Sequence, residues 1–125
     1  MASPDLLPVS VAIGAVTATT TYNASLFNAG GEWLLDTASL MPDAAFTADT
    51  GNFFVIAIKQ GSATIGSITL ATQTLAAGTP VAFSLTKDAD AEFSGSDRIQ
   101  VVVTETGTAT MVVSHVQMLF RKIRS

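Results

Sequence analysis

The sequence predicts an all-β protein: one β-sandwich of jelly-roll type with about eight antiparallel strands. Three observations carry this. Apolar residues seldom recur at the three- and four-residue spacing a helix needs. β-Branched and aromatic residues instead gather in short runs, several of them alternating with small polar residues. Clusters of Gly, Pro, Asn and Asp break these runs at short intervals.

Val9, Val11 and Ile13 alternate with Ser10 and Ala12, opening a strand that runs to about Thr19. Tyr22 to Phe27 is the second candidate. Asn28-Ala29-Gly30-Gly31 turns the chain into a short third strand, Glu32 to Leu35. Asp36 to Asp49 reads as a long loop, with turn chemistry at Pro42-Asp43 and Asp49-Thr50-Gly51-Asn52. Asn52 to Lys59 is the most apolar strand and is apolar on both faces. It therefore belongs in the middle of a sheet, or has an outer face that meets a partner. Ala63 to Leu70 follows. Ile65 and Ile68 fall on opposite parities there, which predicts a bulge at Gly66. After the turn at Ala76 to Pro80, Val81, Phe83 and Leu85 point one way and Ala82, Ser84 and Thr86 the other. Lys87 to Ser96 is a polar connection. Ile99 to Thr104 and Thr110 to Arg121 complete the set, joined through Glu105-Thr106-Gly107-Thr108. Residues 1–8, with Pro4 and Pro8, read as an extended arm ahead of a sandwich domain covering 9–125.

The chain has 125 residues, enough for one hydrophobic core without a metal or disulfide to hold it. Cysteine is absent, which removes disulfides, zinc–thiolate sites and thiol nucleophiles together. Charged residues make up only 13% and hydrophobic ones 48%. An average soluble domain carries about 25% charge. A surface this poor in charge is expected to be covered in part by another protein; abundant Thr and Ser are the other way to keep it wet. The net charge of −4 and pI of about 4.6 argue against nucleic acid as a partner. The only basic cluster is Arg121, Lys122 and Arg124 near the C-terminus. No apolar run approaches the length of a membrane span, and the N-terminus lacks the positive start of a secretory signal. Residence in a cytoplasm is the expectation.

Catalytic chemistry has little to stand on. His115 is the only histidine, and no motif sets a serine and an acid beside it. Asp88, Asp90 and Glu92 alternate with alanines. In an extended segment they would share one side and could converge on calcium. An EF-hand is excluded, because its Gly and final Glu positions hold Phe93 and Ile99. Asp36 and Asp43 are a weaker carboxylate pair of the same kind. No glycine-rich turn leads into a helix to cradle phosphate. Trp33 and Tyr22 are the only Trp and Tyr, a poor endowment for stacking on sugars. No enzyme activity, cofactor or metal is expected.

Leu40-Met41-Pro42-Asp43-Ala44-Ala45-Phe46-Thr47-Ala48-Asp49, followed by Asn52-Phe53-Phe54-Val55-Ile56-Ala57-Ile58, resembles small phage virion proteins in which an acidic loop enters a buried strand. Leu75 to Leu85 and Ser96 to Val103 look like the next turn–strand units of those proteins. The resemblance covers residues 40–104 and departs at Ser94-Gly95-Ser96-Asp97, where a more compact Gly-Asp turn would be expected. The family is that of capsid decoration, or cement, proteins of tailed bacteriophages. What the resemblance implies is a homotrimer seated on the head, binding the major capsid protein and carried in the virion after assembly in the host cytoplasm. The alternative is a host- or carbohydrate-recognising module of a fibre or head appendage. The contact candidates are Leu6, Leu7 and Val9 in the arm, packing on a neighbour, and Arg121, Lys122 and Arg124, meeting an acidic coat surface.

Overall fold

Early strands of this chain pair with late ones in reverse order, as in one long hairpin. The computed structural model describes residues 5–26 and 29–124. Its strands are β1 (Leu6–Ile13), β2 (Thr20–Ser25), β3 (Glu32–Pro42), β4 (Phe53–Gln60), β5 (Ala63–Thr69), β6 (Val81–Ala82), β7 (Glu92–Ser94), β8 (Arg98–Thr106) and β9 (Ser114–Arg124). β1 pairs with β9, β2 with β8, β3 with β6 and β4 with β5, all antiparallel. Rolling this hairpin up gives a sheet in the order β1-β9-β3-β6, with β7 added beside β3, and a facing sheet in the order β2-β8-β4-β5. That is the jelly-roll arrangement of two packed sheets.

Strand alternation supplies the core. Val9, Val11 and Ile13 of β1, Phe54, Ile56 and Ile58 of β4, Ile99, Val101 and Val103 of β8, and Val116, Met118 and Phe120 of β9 are all buried between the sheets. Phe93 meets Phe120 edge to face with ring centroids 5.4 Å apart, a geometry that suits the ring quadrupoles. Ser114 is the buried polar side chain of this core, and its hydroxyl has no hydrogen-bond partner among the described residues.

Several boundaries differ from expectation. β1 stops at Ile13 rather than near Thr19, β6 covers only Val81–Ala82 because the chain then crosses between the sheets, and β9 runs Ser114–Arg124 rather than from Thr110 to Arg121. β1 begins at Leu6, so Leu6 to Pro8 of the expected arm are strand; residues 1–4 lie outside the described residues. β3 continues to Pro42, through what reads as loop. The cause is a bulge between Leu35 and Thr37, which shifts the inward set from Trp33 and Leu35 to Ala38 and Leu40 and breaks the two-residue period. The polar connection after Lys87 holds a short 3-10 turn, Ala89–Ala91, and then β7. The expected bulge near Gly66 is present: Ile58 pairs with Gly66 but Lys59 with Thr64, so Ile65 is the extra residue, and both Ile65 and Ile68 are buried.

The two long edges of the sandwich differ. At one, the chain leaves β6 and crosses between the sheets: Phe83 N donates to Ala38 O at 2.9 Å, and Thr86 N to Ile65 O at 2.8 Å. Gly66 makes the crossing possible, because a Cβ there would sit 2.8 Å from Leu85 Cδ2 and 2.9 Å from Ser84 O. At the other edge β1 and β2 are both outermost. Between them lies a cleft of about 760 Å³ lined by residues 8–12 and 22–25.

One end is closed by turns. Asp49 Oδ1 accepts from Gly51 N at 2.8 Å and Asn52 N at 3.1 Å. Asn52 Oδ1 in turn accepts from Thr108 N at 2.9 Å. Gly107, at φ 76°, packs so closely on Gly51 and Asn52 that a Cβ would not fit.

Candidate interaction surfaces

On the five-stranded sheet, in-register partners share a side, which puts Leu6, Pro8, Ser10 and Ala12 of β1 outward beside Arg121, Leu119, Gln117 and His115 of β9. Next to them, β3 presents Leu34, Thr37, Ser39 and Met41. Leu6 is 54% exposed.

The basic cluster belongs to this sheet. β9 carries it into regular pairing, and each cation already has an acidic partner. Arg124 Nε donates to Glu32 Oε2 at 2.7 Å and Nη2 to Glu92 Oε1 at 2.5 Å. The Glu32 charge, followed by these hydrogen bonds, raises the Arg124 pKa further. Lys122 Nζ lies 3.8 Å from Asp5 and 5.7 Å from the centre of the Trp33 ring. Arg121 lies 3.9 Å from Asp36, which also pairs with Lys87 at 3.3 Å.

Of the arm candidates, Leu6 is open and Leu7 is half-buried against the core. Val9 corrects the expectation: it is 5% exposed, a core residue, because its parity points it at the opposite sheet.

The outer face of the four-stranded sheet is different. Along β4, Phe53, Val55, Ala57 and Lys59 form one row; Val102 of β8 stands beside Ala57 and Gln100 beside Lys59. Thr21, Asn23, Ser67 and Thr69 flank the row on β2 and β5. Phe53, Val55 and Ala57 are half-buried where their inward neighbours are fully buried, so the outer face of the apolar strand is only partly covered within the chain. Lys59 and Arg98 have no carboxylate within ion-pair distance among the described residues.

Asp88, Asp90 and Glu92 do not converge on one point. Residues 89–91 turn rather than extend, Asp88 Oδ1 accepts from Asp90 N at 2.9 Å, and Glu92 reaches away to Arg124. Asp36 and Asp43 are likewise separate, since Asp43 lies 3.7 Å from His115 Nδ1 on another part of the sheet. Among the described residues no three His, Cys, Asp or Glu side chains stand together as metal ligands. Trp33 is buried, with Nε1 donating to Gly30 O at 3.1 Å, so it is no platform for a sugar. The contact candidates drawn from the sequence omit the half-covered row on β4, although the two-sided apolarity of that strand already allowed an outer face that meets a partner.

No family model and no curated protein matches the chain. Among solved structures it is similar to one of infectious bursal disease virus, Gx strain, at 14% identity over 94% of this chain and 41% of that chain, with a TM-score of 0.22. The chain thus spans about two fifths of that chain's length, and a likeness of this size carries no argument.

Proposed function

We propose that this chain is a structural virion protein: a decoration protein that seats on the outer surface of a tailed-phage head, binds the major capsid protein and ties neighbouring coat subunits together as a homotrimer. The supporting observation is the outer face of the five-stranded sheet. It combines exposed Leu6 with Pro8, Leu34, Met41 and Leu119, short polar side chains, and cations already matched by carboxylates. Such a face leaves few lone charges to desolvate at a contact, and charge-depleted patches are what interface cores use. Many copies on one shell would stabilise it by avidity without high affinity at each site. The jelly roll itself serves capsid and lectin domains alike, so the face and not the fold supports the reading. In this reading the chain catalyses nothing and needs no cofactor, nucleic acid or membrane.

Co-sedimentation with shells that lack the protein tests this. The purified chain should pellet with shells and saturate at a fixed number per shell, and Leu6→Asp should weaken pelleting. A chain that stays in the supernatant but binds host cells would transfer the assignment to a recognition module.

A further inference from the structure

We infer that the outer face of the four-stranded sheet is a docking surface for a second copy of this chain. Its contact would be the acidic turn at Asp88 to Asp90. This deepens the self-association in the proposed function and rests on it by naming the two surfaces.

The row Phe53, Val55, Ala57 runs along β4 and ends on a cation, Lys59. Lys59 is opposite Gln100 on β8, and Arg98 lies two residues before Gln100 on the same face. The backbone positions of the two cations are diagonal cross-strand neighbours, roughly 7–8 Å apart. Four other cations, Lys87, Arg121, Lys122 and Arg124, have carboxylates on the five-stranded side of the molecule. Lys59 and Arg98 therefore stand out, in a chain of net charge −4, as a positive pair at the end of an apolar row.

The complementary feature is on the sealed edge. The 3-10 turn Ala89–Ala91 packs beside β5, and Asp88, Ala89 and Asp90 are exposed. No cation stands within ion-pair distance of either Asp among the described residues. The other unpaired acids are otherwise engaged or placed. Asp49 is held in its own turn. Asp97 accepts from Gln60 Nε2 and Ser94 N. Glu105 lies near the other end of β8 from Arg98, opposite Phe54. A contact from the acidic turn of one copy to the basic end of the next copy's row joins two different patches. Such head-to-tail contacts close into rings when the rotation allows.

Native mass of the full chain at low and high salt is the experiment, with thermal melts as the folding control. The wild type should run as a closed oligomer that weakens with salt. K59E/R98E should drop it to the mass of one chain, 12.9 kDa, with the melt unchanged. D88K/D90K should do the same to the mass, and its melt reads the separate loss of the Asp88 cap on Asp90 N. The fourfold swap K59E/R98E/D88K/D90K should restore the oligomer, because the charges are exchanged and still match. A monomeric wild type, an oligomer indifferent to K59E/R98E, or a fourfold swap that stays monomeric would each overturn the inference. Shell binding is read separately: an oligomer with this salt and swap behaviour that ignores shells removes the decoration reading and keeps this interface.

Discussion

The two long edges of the sandwich solve the same problem in opposite ways. Every open sheet has outer strands with unsatisfied backbone groups. On the β5/β6 side the chain seals the gap itself, passing from Ala38 in one sheet to Ile65 in the other and tucking Phe83 into the core. On the β1/β2 side the chain passes between the sheets only at the end, through residues 14–19, and the cleft between the edge strands stays open. Pro8 is the defence there. Lys122 N donates to Asp5 O at 3.0 Å, so by alternation Leu7, Val9 and Val11 bond to β9 while Leu6, Pro8, Ser10 and Ala12 turn their backbone outward. The missing N–H of proline therefore falls on the open edge, where it interrupts any strand that tries to pair. One edge is closed by packing and the other is guarded by covalent geometry.

Substitutions can break this contrast. The largest effect is expected at the sealed edge: Phe83→Ala should lower stability by about 3–5 kcal/mol in urea melts, because it removes the side chain that plugs the crossing. Gly66→Ala should cost about 1–3 kcal/mol, since its Cβ has Leu85 and Ser84 in the way; Leu85→Ala in the same background should recover part of the loss. At the open edge, Pro8→Thr should move stability by less than about 1 kcal/mol but raise light scattering over time, as the restored N–H reopens the edge to pairing. Equal melts and equal scattering would remove proline's protective role.

The smallest effects sharpen the picture away from the edges. The Gly51 N–H and then the Asn52 N–H hold the Asp49 carboxyl below its ordinary value of 3.8. A lowered pKa in the folded state means that the stabilisation is full above the ordinary value and is lost as pH falls through the folded one. Wild type should exceed Asp49→Ala near neutral pH, and the gap should close as the pH falls below the ordinary carboxyl value, read from urea midpoints at each pH. Ser114→Ala should be neutral or stabilising by up to about 1 kcal/mol, because the hydroxyl is buried without a partner.

Much of this was legible in the chain. Alternation at Val9, Val11 and Ile13 marked a strand, the two-sided apolarity of Phe53 to Ile58 marked a central or partner-covered one, and the parity break at Ile65 and Ile68 marked the bulge. β3 was misread because its own bulge at Asp36 disguised alternation as a polar loop. The basic cluster was visible, but not its neutralisation, since Asp5, Glu32, Asp36 and Glu92 are distant in sequence and reach it only through strand pairing.

The sequence by itself determined an all-β sandwich, where most strands lie and how little charge the surface carries, because period, turn residues and composition are local properties. Only the tertiary structure decided which strands are edges, which cations keep a free charge and which apolar row stays half-covered. Those outcomes depend on pairing residues from opposite ends of the chain, and no local pattern records that choice.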